Sequence, residues 1–345
     1  MSKVSKIVGV VCISLTCLGA SADETKIPII VGHRGASAYL PEDTLISVAG
    51  GYLQYPDYLK FDTSMTKDGK IVIAHDIYLD YSTNIKEIYP NMARADGHIY
   101  INDLTLDEIK KLTARERTKA DFITPAYPDR FPVTDALPIG VPTLDEMLIL
   151  IRGLDKSTGH NIGVCIDLKG PGQYADKGHE FAKTLLEVLA KYGYKDANSK
   201  CYVNSFDPKI LKYIKYDLHS NIKLVQSVYD NVPECPDVDY SKMLTKEGLK
   251  EISTYACGVD PAFKLIFIDY GKSKDFQPND VVRLAHDNGL IVRAWTLRKE
   301  DLPAGVTYDE LCDALFKKAK VDAVHTDSPD LGVNYVKSNF KKFSK

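Results

Sequence analysis

The chain is 345 residues long, with 44% hydrophobic and 26% charged residues and a formal net charge of −3 at pH 7. This near-neutral balance argues against a nucleic-acid partner, because chains that bind nucleic acid usually carry a clear basic excess. The length and the ordinary globular composition suffice for one large α/β domain or for two smaller ones.

The N-terminal residues have the organisation of a secretory signal peptide. Two lysines near the start supply the basic region, residues 7–18 form the apolar core, and Ala20-Ser21-Ala22 matches the small-residue cleavage pattern. The alternative is an uncleaved membrane anchor, but an apolar stretch of about a dozen residues is shorter than the roughly 20 that a bilayer-spanning helix needs. We therefore expect residues 1–22 to be removed and residues 23–345 to be periplasmic or secreted, without a stable membrane span.

Eight short apolar runs, each with the length of a buried strand, alternate with segments of helical periodicity. The clearest helix is residues 177–192, which has apolar residues along one face and Gly193 as a C-terminal stop. The pattern Thr143-x-x-Glu146 predicts another helix that begins with a capping box. The predicted strands are residues 27–33, 58–64, 161–169, 200–206, 222–228, 256–261, 290–297 and 321–327. This alternation predicts an α/β fold of the (β/α)8 TIM-barrel type; a doubly wound sheet is the alternative, but no glycine fingerprint follows the first strand.

Two departures from plain alternation follow the second strand. Lys67-Asp68-Gly69 lies between two extended runs, which is typical of a β-hairpin. The second run, residues 70–75, therefore folds back on the first and is not counted as a barrel strand. Residues 78–142 are rich in Tyr, Asp and Pro and too long for a simple loop, so they predict an insertion lobe that overhangs the barrel end where active sites lie.

Charged and polar side chains follow the predicted strands at the ends that meet at one mouth of the barrel. His33 and Arg34 close the first strand, and the hairpin returns His75 to the side of Asp62. Period-two alternation places Lys60 and Asp62 on one face of the second strand. The ends of later strands carry Asp167, Lys169, Asn204, Trp295 and Asp327. Packing does not require so many charged groups in one place, so we interpret the mouth as a functional site.

His33 and His75 are the candidate acid–base pair, because each stands where an apolar strand opens onto charged residues. Two imidazoles that face one another can perform both halves of a displacement at phosphorus, one taking a proton from the attacking oxygen and the other protonating the leaving oxygen. Arg34 is the candidate phosphate-binding group, since a guanidinium fork matches phosphate oxygens bidentately. The histidines interpreted as packing or surface residues are His98, His160, His179, His219 and His286.

Five stretches, HRGASAYLPEDT, DTSMTKDGKIVIAHDIYLD, DRFP, IDLK and AWTL, resemble the glycerophosphodiester phosphodiesterase family in its periplasmic, long-insert branch. The resemblance implies a TIM barrel with an insertion lobe and a divalent metal, Ca²⁺ or Mg²⁺, at the mouth. The implied reaction is hydrolysis of glycerophosphodiesters to sn-glycerol 3-phosphate and an alcohol. His33 and His75 match the two motif histidines that serve as general acid and base, and the substrate's own 2-hydroxyl is a candidate first nucleophile.

One position departs from the pattern of this family. The family has Glu-x-Asp on the second strand, both residues being metal ligands, whereas this chain has Lys60-Phe61-Asp62. Asp167 stands where the third ligand is usually Glu. A lysine about 4 Å from a divalent cation is repelled by about 8 kcal/mol at an effective dielectric of about 20, and it offers no oxygen to a hard metal. Lys60 and a metal at that position are therefore close to mutually exclusive.

Three outcomes follow from Lys60. In the first, the ammonium group of Lys60 replaces the metal. Asp62 and Asp167 hold this ammonium, with Glu42 as a third candidate, and it helps to neutralise the phosphate, which Lys169 also binds. In the second, a metal binds weakly through the same three carboxylates while Lys60 is displaced. In the third, catalysis is lost and the protein binds phosphodiesters without cleaving them.

The expected substrate is a small, water-soluble glycerophosphodiester such as glycerophosphocholine or glycerophosphoethanolamine. A phospholipase C- or D-like enzyme on the same fold is a further alternative, and it would require an exposed apolar rim at the mouth. Trp295 and the Tyr-rich lobe are candidates for the apolar wall against which the glycerol or the alcohol lies, although a core position for Trp295 fits the sequence equally well.

Overall fold

The computed structural model describes residues 26–340, apart from the side chains of residues 175 and 176, so the predicted signal segment 1–22 lies outside the described residues. The strands of this range are β1 (Ile29–His33), β2 (Tyr58–Met65), β3 (Ile71–Ile73), β4 (Gly163–Leu168), β5 (Cys201–Ser205), β6 (Lys223–Val228), β7 (Gly258–Pro261), β8 (Ile291–Leu297) and β9 (Ala323–Thr326). All except β3 are parallel and close into a ring, because β1 pairs with both β2 and β9. The predicted eight-stranded barrel is confirmed.

Helices follow the strands of the ring along the chain. They are α1 (Leu45–Tyr52), α2 (Ile85–Ile88), α3 (Leu106–Ile109), α4 (Leu144–Thr158), α5 (Gly178–Lys191), α6 (Pro208–Lys212), α7 (Lys246–Ile252), α8 (Val281–Asp287), α9 (Tyr308–Cys312) and α10 (Pro329–Asn339). The capping box predicted for α4 is present, since Thr143 Oγ1 accepts from the Glu146 N–H and the Glu146 carboxylate accepts from the Thr143 N–H. None of the helices in residues 26–340 is both long enough and apolar enough to cross a bilayer.

The register of the ring brings the predicted polar residues to two successive levels on one face. His33 on β1 is paired with Lys60 on β2, and Asp62 is paired with Asp167 on β4. Asp167 is in turn paired with Asn204 on β5. Paired residues of neighbouring strands point to the same face of a sheet, so the C-terminal end of the barrel receives these side chains together.

The predicted hairpin is confirmed, with β3 lying outside the ring and antiparallel to β2. Thr63 is paired with Ile73, and the Ala74 N–H donates to the carbonyl oxygen of Asp62 at 3.0 Å. The next residue, His75, is therefore returned beside the C-terminal half of β2.

The insertion lobe, residues 78–142, follows β3 and contains the short helices α2 and α3. Its apolar side chains form a cluster distinct from the main core of the barrel, and this cluster includes Val72 and Ala74 of the hairpin. Backbone hydrogen bonds tie the lobe to the hairpin as well, with Lys67 N–H donating to Leu104 O at 2.8 Å. The lobe is thus fixed on the segment that carries His75.

The turn after β1 depends on Gly35. This residue has φ of 90°, and a Cβ there would lie 2.4 Å from the backbone carbon of Ser47. We expect Gly35→Ala to lower the free energy of unfolding by about 2–5 kcal/mol through left-handed strain and overpacking, measured by urea denaturation. Gly97, at φ of 85° with no atom within 4 Å of such a Cβ, is the matched control, and Gly97→Ala should cost only about 1–2 kcal/mol. Equal losses would contradict this assignment.

Candidate active site

Eight of the residues predicted at the barrel mouth line one solvent-open cavity of about 470 Å³. They are His33, Arg34, Lys60, His75, Asp167, Lys169, Asn204 and Trp295. Glu42 and Asp62, the other predicted site residues, lie behind this wall: Asp62 is fully buried, and Glu42 is held by two arginines. Both predicted acid–base histidines therefore reach the same space.

The imidazole of His33 is oriented by Asp327. Its Nδ1 atom lies 2.7 Å from Oδ1 of Asp327. The other oxygen of this carboxylate accepts hydrogen bonds from Arg130 at 2.9 Å and Arg298 at 2.7 Å. Burial opposes ionisation of Asp327, but the Arg298 charge and the hydrogen bond from His33 hold its pKa well below the usual range. Burial, followed by the charge of Arg34, keeps the pKa of His33 well below its ordinary value.

The imidazole of His75 has the same arrangement with its neighbour in sequence. Its Nδ1 atom lies 2.7 Å from Oδ1 of Asp76, and Oδ2 of Asp76 accepts a hydrogen bond of 2.7 Å from Arg117. Burial opposes ionisation of Asp76, but the charge of Arg117 holds its pKa far below the usual range. Burial lowers the pKa of His75 to about 4, and the charges of Arg34 and Lys169 act in the same direction.

Both imidazoles are consequently neutral near pH 7 and share one tautomer. An ionised carboxylate only accepts hydrogen bonds, so the Nδ1 atom of each ring carries the hydrogen and the Nε2 atom carries a lone pair. Such a ring can take up a proton at Nε2, and the carboxylate behind it stabilises the imidazolium that forms. The His33–Asp327 and His75–Asp76 pairs are therefore each competent for proton transfer. A third pair, His325 and Asp260, also lines the cavity, but there the aspartate lies 3.4 Å from Nε2 of the ring.

Lys60 is held by two carboxylates at the cavity wall. Its Nζ atom contacts Oδ1 of Asp62 and lies 3.3 Å from Oδ2 of Asp167. Burial opposes ionisation of Asp62, but the Lys60 charge holds the pKa of Asp62 well below its usual range. Burial raises the pKa of Asp167 to about 6, against the opposing charges of Lys60 and Lys169. The ammonium group of Lys60 is thus fixed at the cavity surface by paired anions.

The three carboxylates that the sequence offered as metal ligands do not fit a divalent cation. Both oxygens of Asp62 are already paired with positively charged side chains, since Oδ2 lies 3.2 Å from Nε of Arg34 and Oδ1 contacts Lys60. Glu42 does not help to hold Lys60; its oxygens bind Arg34 at 2.6 Å and Arg117 at 2.6 Å. No cluster of three or more His, Cys, Asp or Glu side chains in residues 26–340 is arranged to hold a metal ion.

Another part of the cavity lining consists of Lys169 and the aromatic side chains of Phe206 and Trp295. Lys169 Nζ lies 3.6 Å from Glu234, and although burial disfavours its charge, Glu234 and then Asp167 raise its pKa above the ordinary value. Trp295 lines the cavity beside Phe206, with ring centres 5.8 Å apart, and its Nε1–H donates to the Asp260 carbonyl at 2.7 Å. No residue of the lobe, as far as residues 26–340 are described, lines the cavity, so the expected wall of lobe tyrosines is corrected to Phe206 and Trp295.

Several residues of the site were not identified from the sequence. Among the cavity-lining side chains these are Phe206, Ser227, Asp260, Thr296, Arg298 and His325. Arg117 and Arg130, which hold the carboxylates behind the histidines, were also missed. Three residues carried a local signal: Asp76 directly follows His75, Arg130 belongs to the DRFP stretch, and Thr296 belongs to the AWTL stretch.

Lys169 contributes to the protonation state of His75. We expect Lys169→Met to raise the pKa of His75, because the variant removes one of the positive charges that lower it. The limb of the kcat/KM profile that reports His75 should move to higher pH whether the ring acts as acid or as base, and an NMR titration of the ring measures the shift directly. Lys264→Met, at an exposed lysine paired with Asp230, should leave the titration unchanged. An unshifted His75 in Lys169→Met would refute this coupling.

Comparison with known proteins identifies relatives over most of the chain. Residues 33–331 match the model of the glycerophosphoryl diester phosphodiesterase family. A glycerophosphodiester phosphodiesterase of Haemophilus influenzae is 35% identical over 327 residues, with 90% of each chain covered. A glycerophosphodiester phosphodiesterase of Treponema pallidum is 35% identical over 326 residues, which cover 89% of this chain and 91% of the relative.

Solved structures have the same fold. A structure from Silicibacter pomeroyi superimposes with a TM-score of 0.67 at 22% identity, covering 91% of this chain and 94% of that one. A phosphodiesterase of Oleispira antarctica, solved in complex with its product sn-glycerol-3-phosphate, has a TM-score of 0.60 at 19% identity and covers 90% of this chain and 97% of its own.

Proposed function

Because the chain belongs to the glycerophosphoryl diester phosphodiesterase family, we propose that it hydrolyses glycerophosphodiesters to sn-glycerol 3-phosphate and an alcohol. The observation that carries this proposal is the pair of aspartate-backed histidines, His33 and His75, at one cavity that also presents Arg34, Lys60 and Lys169. A phosphodiester is a monoanion, and the basic side chains that line this cavity suit it.

The two histidines divide the proton transfers between them. One neutral imidazole takes the proton from the attacking oxygen, either the 2-hydroxyl of the glycerol or a water molecule, as that oxygen bonds to phosphorus. The other imidazole, protonated beside the bound anion, gives its proton to the alcohol oxygen as the bond from that oxygen to phosphorus breaks. Where the 2-hydroxyl attacks, this step forms a cyclic phosphate. A water molecule then opens it to sn-glycerol 3-phosphate, with the roles of the two histidines exchanged. Asp327 and Asp76 stabilise the imidazolium in turn.

The basic side chains stabilise the charge that develops on the phosphoryl oxygens. Arg34 offers a planar fork to two of these oxygens, and the ammonium groups of Lys60 and Lys169 act as point charges. We propose that Lys60 fills the electrostatic role of a divalent cation and that the reaction needs neither Ca²⁺ nor Mg²⁺. Its support is the contact of the Lys60 ammonium with Asp62 and Asp167, two of the carboxylates that a cation would otherwise need.

A coupled assay tests the activity. Purified protein incubated with glycerophosphocholine or glycerophosphoethanolamine should release sn-glycerol 3-phosphate, detected with glycerol-3-phosphate dehydrogenase, in a one-to-one ratio with the alcohol. Vesicles of intact phosphatidylcholine should give no product if the substrate is the water-soluble diester. Tight binding of the diester without product, with and without divalent cations, would instead identify a phosphodiester-binding protein.

We also propose that the chain is exported and that its site works in the periplasm or outside the cell. The support is the basic start, apolar core and Ala20-Ser21-Ala22 pattern of the N-terminal segment. Mass spectrometry of the protein recovered from periplasmic and culture fractions should find a mature N-terminus at Asp23, whereas an intact N-terminus in the cytoplasmic fraction would contradict export.

A further inference from the structure

The His33–Asp327 and His75–Asp76 pairs are both held by the same part of the chain. Each aspartate uses one oxygen for its histidine, and its other oxygen accepts from an arginine of the insertion lobe. That oxygen of Asp327 also accepts from Arg298, which follows β8, at 2.7 Å. Arg117 binds Asp76 and Arg130 binds Asp327, and neither arginine lines the cavity. We propose that the insertion lobe positions both proton-transfer histidines at once, with Arg117 acting through Asp76 and Arg130 acting through Asp327.

Arg117 is built to hold its carboxylate in a fixed orientation. Its NH2 group donates to Asp76 Oδ2 at 2.7 Å and to Glu42 Oε1 at 2.6 Å, and its Nε–H donates to the same Glu42 oxygen at 2.9 Å. The NH2 nitrogen also lies 3.4 Å from Nδ1 of His75. The backbone on either side is also fixed, since the Thr118 N–H donates to Tyr81 O at 2.8 Å. Both the guanidinium and the chain that carries it are therefore restrained.

Arg130 is restrained even more tightly, with only 3% of its side chain exposed. It makes a bidentate pair with Glu300 at 2.8 and 3.1 Å and donates to the carbonyl of Ser37 at 3.1 Å. Its remaining donor reaches Asp327 Oδ2 at 2.9 Å, and its guanidinium lies 3.8 Å from the ring centre of Tyr127. Such a side chain holds its partner in place instead of moving with it.

A carboxylate held by only one oxygen can rotate. The histidine bonded to it can then lose its preferred tautomer. An arginine on the second oxygen fixes the plane of the carboxylate and keeps it ionised, so that it accepts from Nδ1–H and leaves Nε2 facing the cavity. Because both arginines belong to residues 78–142, correct seating of one lobe sets both rings. Arg117 and Arg130 are positioning residues, and this role rests on the proposed function of His33 and His75.

The test compares Arg117→Met and Arg130→Met with Arg115→Met in the full mature chain. Arg115 belongs to the same lobe and is similarly buried, but its partners are Glu87 at 3.0 Å and Asp135 at 3.4 Å, away from both histidines. We expect kcat to fall about 10–100-fold in Arg117→Met and Arg130→Met with KM within twofold, and Arg115→Met to retain the wild-type kcat. Arg117→Lys and Arg130→Lys should recover part of the lost kcat, because they keep the charge but not the fork.

Nitrogen NMR of the histidine rings provides a readout that does not depend on turnover. In the wild-type protein His33 and His75 should each have Nδ1 protonated. Arg117→Met should mix the tautomers of His75 alone. Arg130→Met should mix those of His33 alone and to a smaller extent, because Arg298 still holds Asp327 Oδ2. Unchanged tautomers with a lowered kcat, or equal losses in Arg115→Met, would overturn the positioning role. If the wild-type protein hydrolyses no diester while the tautomers respond as expected, the proposed function fails and the positioning inference stands.

Discussion

Replacing His33 or His75 with glutamine should lower kcat/KM for glycerophosphocholine by about 10²–10⁴-fold, the usual contribution of a general acid or base. Glutamine keeps a donor for the aspartate behind each ring but has no group that titrates near neutral pH. The substitution therefore removes proton transfer with little change in packing, and circular dichroism and thermal unfolding would verify that each variant is folded.

His286 provides the matched control, because it is bonded to an aspartate but does not line the cavity. Its Nε2 atom lies 2.9 Å from Asp322. His286→Gln should retain activity within about twofold, whereas a His33→Gln or His75→Gln enzyme within a few-fold of wild type would refute the acid–base assignment.

A diester with a p-nitrophenol leaving group separates the roles of general acid and general base, since this group needs no proton. Activity should recover only in the variant that lacks the general acid.

The barrel was predictable because its strands are buried on both faces. Such strands appear in the sequence as short apolar runs, and the eight runs predicted here correspond to the eight strands of the ring. The hairpin was predictable for a different reason, since Lys67-Asp68-Gly69 is a local turn signal. Both features depend on residues that are close together in sequence. The register of the strands then paired His33 with Lys60 and Asp62 with Asp167.

The network behind the histidines could not be predicted in the same way. Arg117 meets Asp76 across 41 residues and Arg130 meets Asp327 across 197 residues, so no local pattern links either pair. Glu42 was misjudged for a related reason: a carboxylate near a phosphate site is chemically suited to a metal, and only the fold reveals that two arginines already bind it. The position of Trp295 was ambiguous because a tryptophan in a strand is equally typical of a cavity wall and of a buried core.

Chelation should leave the activity of the wild-type protein unchanged if Lys60 replaces the metal. Asp62 and Asp167 already neutralise the Lys60 ammonium, and a divalent cation about 4 Å from it would be repelled by about 8 kcal/mol at an effective dielectric of about 20. Lys60→Met should then lower kcat/KM by about 10²–10³-fold, the loss typical of one electrostatic stabiliser of the transition state. Complete loss of wild-type turnover in EDTA, restored by Ca²⁺ or Mg²⁺, would refute this role.

Lys60→Glu tests whether a carboxylate at this position creates a metal site. A glutamate at this position would stand beside Asp62 and Asp167, and three oxygen-donating carboxylates are what a hard cation prefers. We expect Lys60→Glu to bind Ca²⁺ or Mg²⁺ by isothermal titration calorimetry, unlike wild type, and to hydrolyse glycerophosphocholine only when the cation is added. Lys169→Glu is the matched control, because it places the same charge change in the same cavity but beside Glu234, 3.6 Å from the native ammonium. Metal-dependent turnover in Lys60→Glu but not in Lys169→Glu would show that the ammonium group replaces the metal at residue 60. Equal metal dependence of the two variants would show only a general effect of negative charge in the cavity and would contradict that role.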